Sequence, residues 1–419
     1  MSLSRLSFLH SERQEDHSIN VTGRYCQQVY APFLRRALIS TAIAVAAAGV
    51  CAVTTAHAAQ SPGWRIVKIV RHCGNDSMLS VTATGPRDAW ALGVPDGSGP
   101  GCGADVEHWG GASWRHLPVP KTVSVSAEPL LGPPVAASSA RDAWIFPTRL
   151  ASSHSSVFSY DYALRWDGAG WRTSAFPAPL TVTFAAAFSK TDVWAFGGLN
   201  DADGTVVPYA ARYDGDGWHK AVVPVAPLGI SALSAHNMWA VGPTPETAAK
   251  PLARQVILAA HWTGRRWRTM RVPVIKAPKG TGALSSGQVA AVGPDDIWWA
   301  YRVTAREPSR TGLLRWYHGR WHAIKLPAAI AEIDAITQDG HGGVWLLAEA
   351  GTAFDNLAQY LYHYNHGSWT RQLVPSPRRY SNMLFGMDWI PRTASVWAAG
   401  EADRNYGNES VGVIARYVR

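Results

Sequence analysis

Two short phrases decide the fold. DVWAFG at residues 192–197 is followed by RYDGDGW at residues 212–218, and the pair recurs along the chain. The first phrase places an acid, in four of its seven copies, two residues before a tryptophan and small apolar residues after it. It reads DAWALG at Trp90, DAWIFP at Trp144, DVWAFG at Trp194, NMWAVG at Trp239, DIWWAY at Trp298, GVWLLA at Trp345 and SVWAAG at Trp397. The second phrase is a basic residue, an aromatic, a glycine turn, and a tryptophan five residues after the aromatic. It reads HWGGASW, RWDGAGW, RYDGDGW, HWTGRRW, RWYHGRW and HYNHGSW, ending at Trp114, Trp171, Trp218, Trp267, Trp321 and Trp369. The first-phrase tryptophans are 54, 50, 45, 59, 47 and 52 residues apart. A period of that size, built from short β-phrases, is the signature of a propeller.

The two ends of the chain set the blade count. The seventh second phrase stops at Arg416-Tyr417, and its missing half stands at Gly63-Trp64. A ring of blades must close to hide its strand edges. Pairing residues 411–417 with 64–70 closes it. The sequence therefore predicts an all-β, seven-bladed β-propeller over residues 59–419, its ring closed by N- and C-terminal strands sharing one blade. Four strands per blade follow from alternation and turn residues; in the first blade they fall at 79–84, 89–94, 105–109 and 114–119. Alanine stands seven residues before the first-phrase tryptophan in five units (Ala83, Ala137, Ala187, Ala232, Ala291), which suits a crowded innermost strand. Eighteen of the 20 tryptophans sit at repeat positions, where they would fill the gaps between blades. The recurring acids of strand b (Asp88, Asp142, Asp192 and Asp296, with Asn237) and the bases of strand c are expected to make ion pairs or turn hydrogen bonds within their blades.

Residues 37–56 carry no Asp, Glu, Lys or Arg, follow Arg35-Arg36, and end in Ala56-His57-Ala58. This predicts a signal peptide over residues 1–58, cleaved before Ala59, and a secreted, extracellular protein. Membrane contact is expected only if the leader stays uncleaved. The leader contributes +2 of the formal charge of +9, so the remaining chain stays basic. That balance suits anionic wall polymers or acidic glycans, but solubility and compositional bias account for it more simply. No run of Lys and Arg exceeds two residues, so nucleic acid is not expected. Cys73 and Cys102 are the two cysteines beyond the leader, and in an oxidising compartment a disulfide between them is expected.

Residues that recur in every blade cannot all face one ligand, so function is sought where the repeat breaks. The b–c and d–a loops are long and share one face of a propeller. Arg149, His154 and Tyr160 fall in the second b–c loop. Trp299, Tyr301 and Arg302 follow the fifth first-phrase tryptophan. Trp389, Arg378, Arg404 and Tyr406 belong to the last unit and the segment before it. These are the candidate ligand-binding residues. Asn200, Asp201 and Asp203 in GLNDADGT could supply calcium ligands, although the same residue types form ordinary turns; no other cofactor is expected. The chain has no GxSxG, HExxH, CxxC or phosphate-loop motif.

The alternation of D-[AV]-W-A-[LFV]-G with hW-x-G-x-x-W resembles the repeats of secreted actinobacterial-type propeller proteins, loosely kelch-like or galactose-oxidase-like. The resemblance covers residues 63–419. It implies a propeller and export, and little chemistry. Only Gly197-Gly198 reproduces the paired glycines of kelch repeats. Copper chemistry of the galactose-oxidase type needs a Tyr–Cys crosslink, which Cys73 and Cys102 in the first blade do not suit. The expected function is a secreted binding or interaction module, monomeric, for a glycan, cell-envelope polymer or protein. The alternatives are an extracellular hydrolase or lyase with acids gathered at the propeller axis, and a structural scaffold without a ligand.

Overall fold

The computed structural model describes residues 63–419 except 73, 96–102, 121–133, 154–155, 201–205, 277–281, 305–308, 329, 352–357, 378–379 and 405–408. The described residues form seven antiparallel sheets in sequence order. Strands a to d of blade 1 are Asp76–Gly85, Asp88–Pro95, Asp105–Trp109 and Trp114–His116. Blade 7 takes its first three strands from Ser381–Trp389, Val396–Arg404 and Glu409–Val418, and its outer strand from Gly63–Val70. The register runs from Gly63 opposite Val418 to Val70 opposite Gly412, as the split phrase predicts. Trp64 stacks edge-on against Tyr417, with ring centroids 5.7 Å apart. Each strand a touches the strand a of the next blade, all the way round the ring. Among the described residues the only helices are two three-residue turns, Pro245–Thr247 and Leu252–Arg254, and no helix is long and apolar enough to cross a membrane.

Two features depart from the simple repeat. The b–c connection of blade 2 is a β-hairpin, Thr148–Ser153 and Ser156–Asp161, that reaches onto blade 3. It attaches where Asp161 pairs with Leu180, and the buried Asp161 carboxylate accepts the Val182 N–H at 2.7 Å. Strand a is bulged opposite the glycine that ends the first phrase in blades 1, 3 and 7. A Cβ at Gly197 would lie 1.8 Å from the Thr181 carbonyl oxygen, so only glycine admits that approach.

The seven first-phrase tryptophans are the centres of the core, none more than 3% exposed. Each stands directly across strands b and c from the recurring basic residue. The acid lies two residues before the tryptophan, hence on the same strand face. Acid, base and indole therefore meet. Asp88–His108, Asp142–Arg165, Asp192–Arg212 and Asp296–Arg315 pair within their blades, the first three at 2.8 Å and the last at 2.6 Å. In blade 4 the acceptor is Asn237, 2.9 Å from His261. In blade 6 Gly343 stands at the acid position, and Asp339 of the preceding turn reaches His363 at 2.8 Å. Blade 7 offers Ser395 there, and Arg416 makes no ion pair among the described residues. All seven bases lie over or beside their indole. The Arg guanidinium carbons are 4.8–5.3 Å from the ring centroid. The His ring centroids are 3.9–4.3 Å away.

The other side of each indole joins blades. Trp397 of blade 7 meets Trp109 and Trp114 of blade 1 at 5.2 and 5.0 Å. Trp144 meets Trp218 of blade 3 at 5.4 Å, and Trp194 meets Trp262 of blade 4 at 5.2 Å. Trp298 meets Tyr364 of blade 6 at 5.1 Å, and Trp345 meets Tyr417 of blade 7 at 4.9 Å. Trp90 and Trp239 share clusters with the corresponding aromatics of blades 2 and 5. The outer indoles Trp109 and Trp262 donate their N–H to backbone carbonyls. The seven central indoles find no hydrogen-bond acceptor among the described residues, so packing and the overlying base hold them.

Two measurements follow from this arrangement. Trp298→Ala should cost about 3–5 kcal/mol in denaturant unfolding; a loss below about 1 kcal/mol would deny the indole its role as the joint. The second concerns Asp339. Burial alone would raise its pKa, but the His363 ring and the His341 and Gly343 amides outweigh burial and hold it at about 2, below the ordinary 3.8. A depressed folded pKa contributes stability that is present above the unfolded value and is lost as pH falls through the folded one. Unfolding free energy should therefore drop between roughly pH 4 and pH 2, and Asp339→Asn should flatten that drop. An unchanged acid limb in the variant would show that the pair contributes nothing.

Candidate functional site

A groove of roughly 580 Å3 lies between the outer edges of blades 3 and 4, on the face of the c–d turns. Its blade-4 wall is Trp262 and Trp267, half-buried and 5.5 Å apart. Its blade-3 wall includes Lys220, and Val222 beside it is 78% exposed. The turn of blade 4, residues 263–266, differs from those of blades 2 and 3 and is the one c–d turn with two adjacent arginines. In blades 2 and 3 an aspartate opens the turn and accepts its N–H groups: Asp167 from Ala169 and Gly170, Asp214 from Asp216 and Gly217. In blade 4 Thr263 donates its hydroxyl to the Arg266 carbonyl at 2.9 Å instead. An acid is thus absent, and Arg265 and Arg266 are added, both exposed. Among the described residues neither makes an ion pair. Arg212 also lines the groove, but Asp192 already partners it. The groove therefore joins two half-buried indoles to Lys220, Arg265 and Arg266, with Asp214, paired with His219, as the acid on its wall.

A second site of charge lies on the inner strands of blade 6. Glu332 and Glu349 face each other across strands a and b, and Arg302 of blade 5 pairs with Glu332. Asp334, at the bulge beside them, is pushed up to about 7. Burial is the main cause, with Glu349 adding to it, while a hydrogen bond from Gln359 and the charge of Arg302 oppose it. On blade 7, Asp388 takes the Ala83 N–H at 2.9 Å, which ties the inner strands of blades 7 and 1 together. Burial pushes it up to about 6 against its hydrogen bonds to Ala83, Thr82 and Trp389.

Side chains of metal-ligand type gather at a third place, where blade 7 meets blade 1: His72, Asp105, Glu107 and His116. Sequence reading missed this group because two of its members lie inside a strand. The signal was present, since no other strand c carries acids four and two residues before its aromatic. The TGRR turn was likewise legible as a break in the repeat, but it lies on the face opposite the long loops.

The residues singled out from sequence are dispersed. Arg149 and Tyr160 face each other across the blade-2 hairpin. Trp299 is fully buried, 4.9 Å from Tyr301, and offers no surface to a ligand. Tyr301 lies over Gly312, and Arg302 serves Glu332. Trp389 packs on Gly340 of blade 6 and donates its indole N–H to Thr393 O at 2.7 Å. Arg404 pairs with Glu409, over the Tyr380 ring. Asn200 ends strand b of blade 3. His154, Arg378, Tyr406, Asp201, Asp203, Cys73 and Cys102 lie outside the described residues, and with them the expected calcium loop and the expected disulfide.

No family model matches the chain. No curated protein matches it either. Solved structures do. YCF48 bound to D1 peptide is 12% identical, with 85% of this chain and 97% of that one covered and a TM-score of 0.49. A GH74 xyloglucanase from Xanthomonas campestris is 14% identical, covering 82% and 54%, with a TM-score of 0.48. The fucose-specific lectin from Aleuria aurantia is 14% identical, covering 74% and 99%, with a TM-score of 0.40.

Proposed function

We propose that this chain is a secreted binding propeller whose groove between blades 3 and 4 takes an acidic glycan or a comparable anionic cell-envelope polymer. One observation carries the reading: two half-buried indoles stand beside Lys220, Arg265 and Arg266 in an open groove. Indole faces receive the C–H faces of sugar rings. Guanidinium groups take carboxylates in paired hydrogen bonds, so Arg265 and Arg266 would select a charged polymer over a neutral one. An open groove admits the interior of a chain, where a closed pocket would take only its end. The leader expected over residues 1–58 and the basic balance of the whole chain agree with such a partner.

Binding of polygalacturonate and of a neutral glucan, measured by calorimetry at two salt concentrations, tests this. The acidic polymer should bind and the neutral one should not. Arg265→Ala with Arg266→Ala should weaken binding at least about tenfold and flatten its salt dependence. Equal affinity for both polymers, or an unaffected double variant, would sink the proposal.

A hydrolase reading has one observation of its own. A carboxyl at about 7, beside Glu332 and Glu349, has the character of a general acid at neutral pH. If Asp334 acts so, the chain turns over a polysaccharide with an alkaline limb near pH 7, and Asp334→Asn abolishes turnover with binding intact. Absence of turnover across a polysaccharide panel removes this reading.

A further inference from the structure

Asp105 and Glu107 stand two residues apart on strand c of blade 1 and so share one face. At the matching positions the other blades carry apolar residues, tyrosine or glycine. Asp105 is 3% exposed and Glu107 is fully buried. Two carboxylates in such a place are costly unless something answers their charge.

The partners within the protein fall short. His72 and His116 both direct Nδ1 at one oxygen, Asp105 Oδ1, at 2.8 and 2.9 Å. Asp105 Oδ2 and both Glu107 oxygens make no hydrogen bond among the described residues. Lys68 Nζ, 3.2 Å from Glu107 Oε1, is one ammonium for two carboxylates. Asp105 Oδ2 and Glu107 Oε2 remain without any partner among the described residues. One ligand atom from each of the four residues lies within 4.8 Å of the others. A zinc ion holds nitrogen and oxygen ligands at about 2.0–2.2 Å, so its ligands stand some 3.5–4 Å apart, and little contraction is needed. Two imidazoles with two carboxylates suit zinc-type metals better than calcium or magnesium. The imidazoles are about one-third exposed, which leaves a way in from solvent.

We propose that His72, Asp105, Glu107 and His116 bind one divalent transition-metal ion of the zinc type, which fastens the ring-closing strand to blade 1. His72 follows the N-terminal strand Gly63–Val70, and its backbone N–H is anchored on Asp76 Oδ2 at 2.8 Å. The other three ligands belong to strands c and d of blade 1. The ion thus joins two strands of blade 1 to the segment that follows the ring-closing strand. It lies apart from the groove, so the site stands or falls independently of the polymer reading.

The test uses the untagged chain, stripped with a chelator and titrated with Zn2+ by calorimetry. One ion should bind per chain. At about a hundredfold excess over Kd the melting temperature should rise by roughly 5 °C. Co2+ should give the visible absorption of a four-coordinate site. Amide exchange in Gly63–Val70 should slow when metal is added. The variant His72→Gln with His116→Gln changes only partly exposed side chains, so the fold survives; its affinity should fall more than about tenfold. Absence of binding by the parent chain overturns the site, as does undiminished binding by the variant. Binding that leaves exchange in Gly63–Val70 unchanged overturns the fastening role.

Discussion

The ring depends on seven buried indoles that each serve two neighbours. On one side the indole lies against the basic residue of its own blade, and on the other it meets the aromatic pair of the next. Removing the ring at any junction would open a void on both sides at once, because protein interiors are packed without slack. None of these indoles makes a hydrogen bond among the described residues, so shape sets their position. This is why the repeat tolerates His, Arg and even Asn in the polar pair while the tryptophan itself never changes.

Charge is arranged around that constraint. Wherever an acid stands in the first phrase, the base beneath it is neutralised and still lies over the indole. Where the acid is missing the blade finds another answer, a turn aspartate in blade 6 and Asn237 in blade 4. Blade 7 has neither, and Arg416 relies on the Trp397 face. Burial lowers its pKa, the expected direction for a cation whose charge goes unanswered.

The blades, their number and their closure were legible because each is written in large residues at a fixed spacing. The pairing of acid with base was legible because strand alternation alone puts them on one face. The site was less so. Trp299 broke the repeat and looked available, yet it is buried; a position in sequence says nothing of which side a neighbouring blade covers. The blade-2 hairpin lies in a stretch that reads as loop, since its serines carry no strand pattern. The groove and the His–carboxylate group arise between blades, from residues far apart in one case and inside a strand in the other. Neither distance is visible until the ring is built.

The composite blade has a consequence in time. The strand Gly63–Val70 is made before any blade, and its partner Glu409–Val418 is made after six of them. Until then the early strand has no sheet to join, and it carries Val67 and Ile69 on an open face. This is the longest-range pairing among the described strands, so bringing its ends together carries the largest loop-closure cost in the ring. The first strand to emerge is the latch that the last one meets.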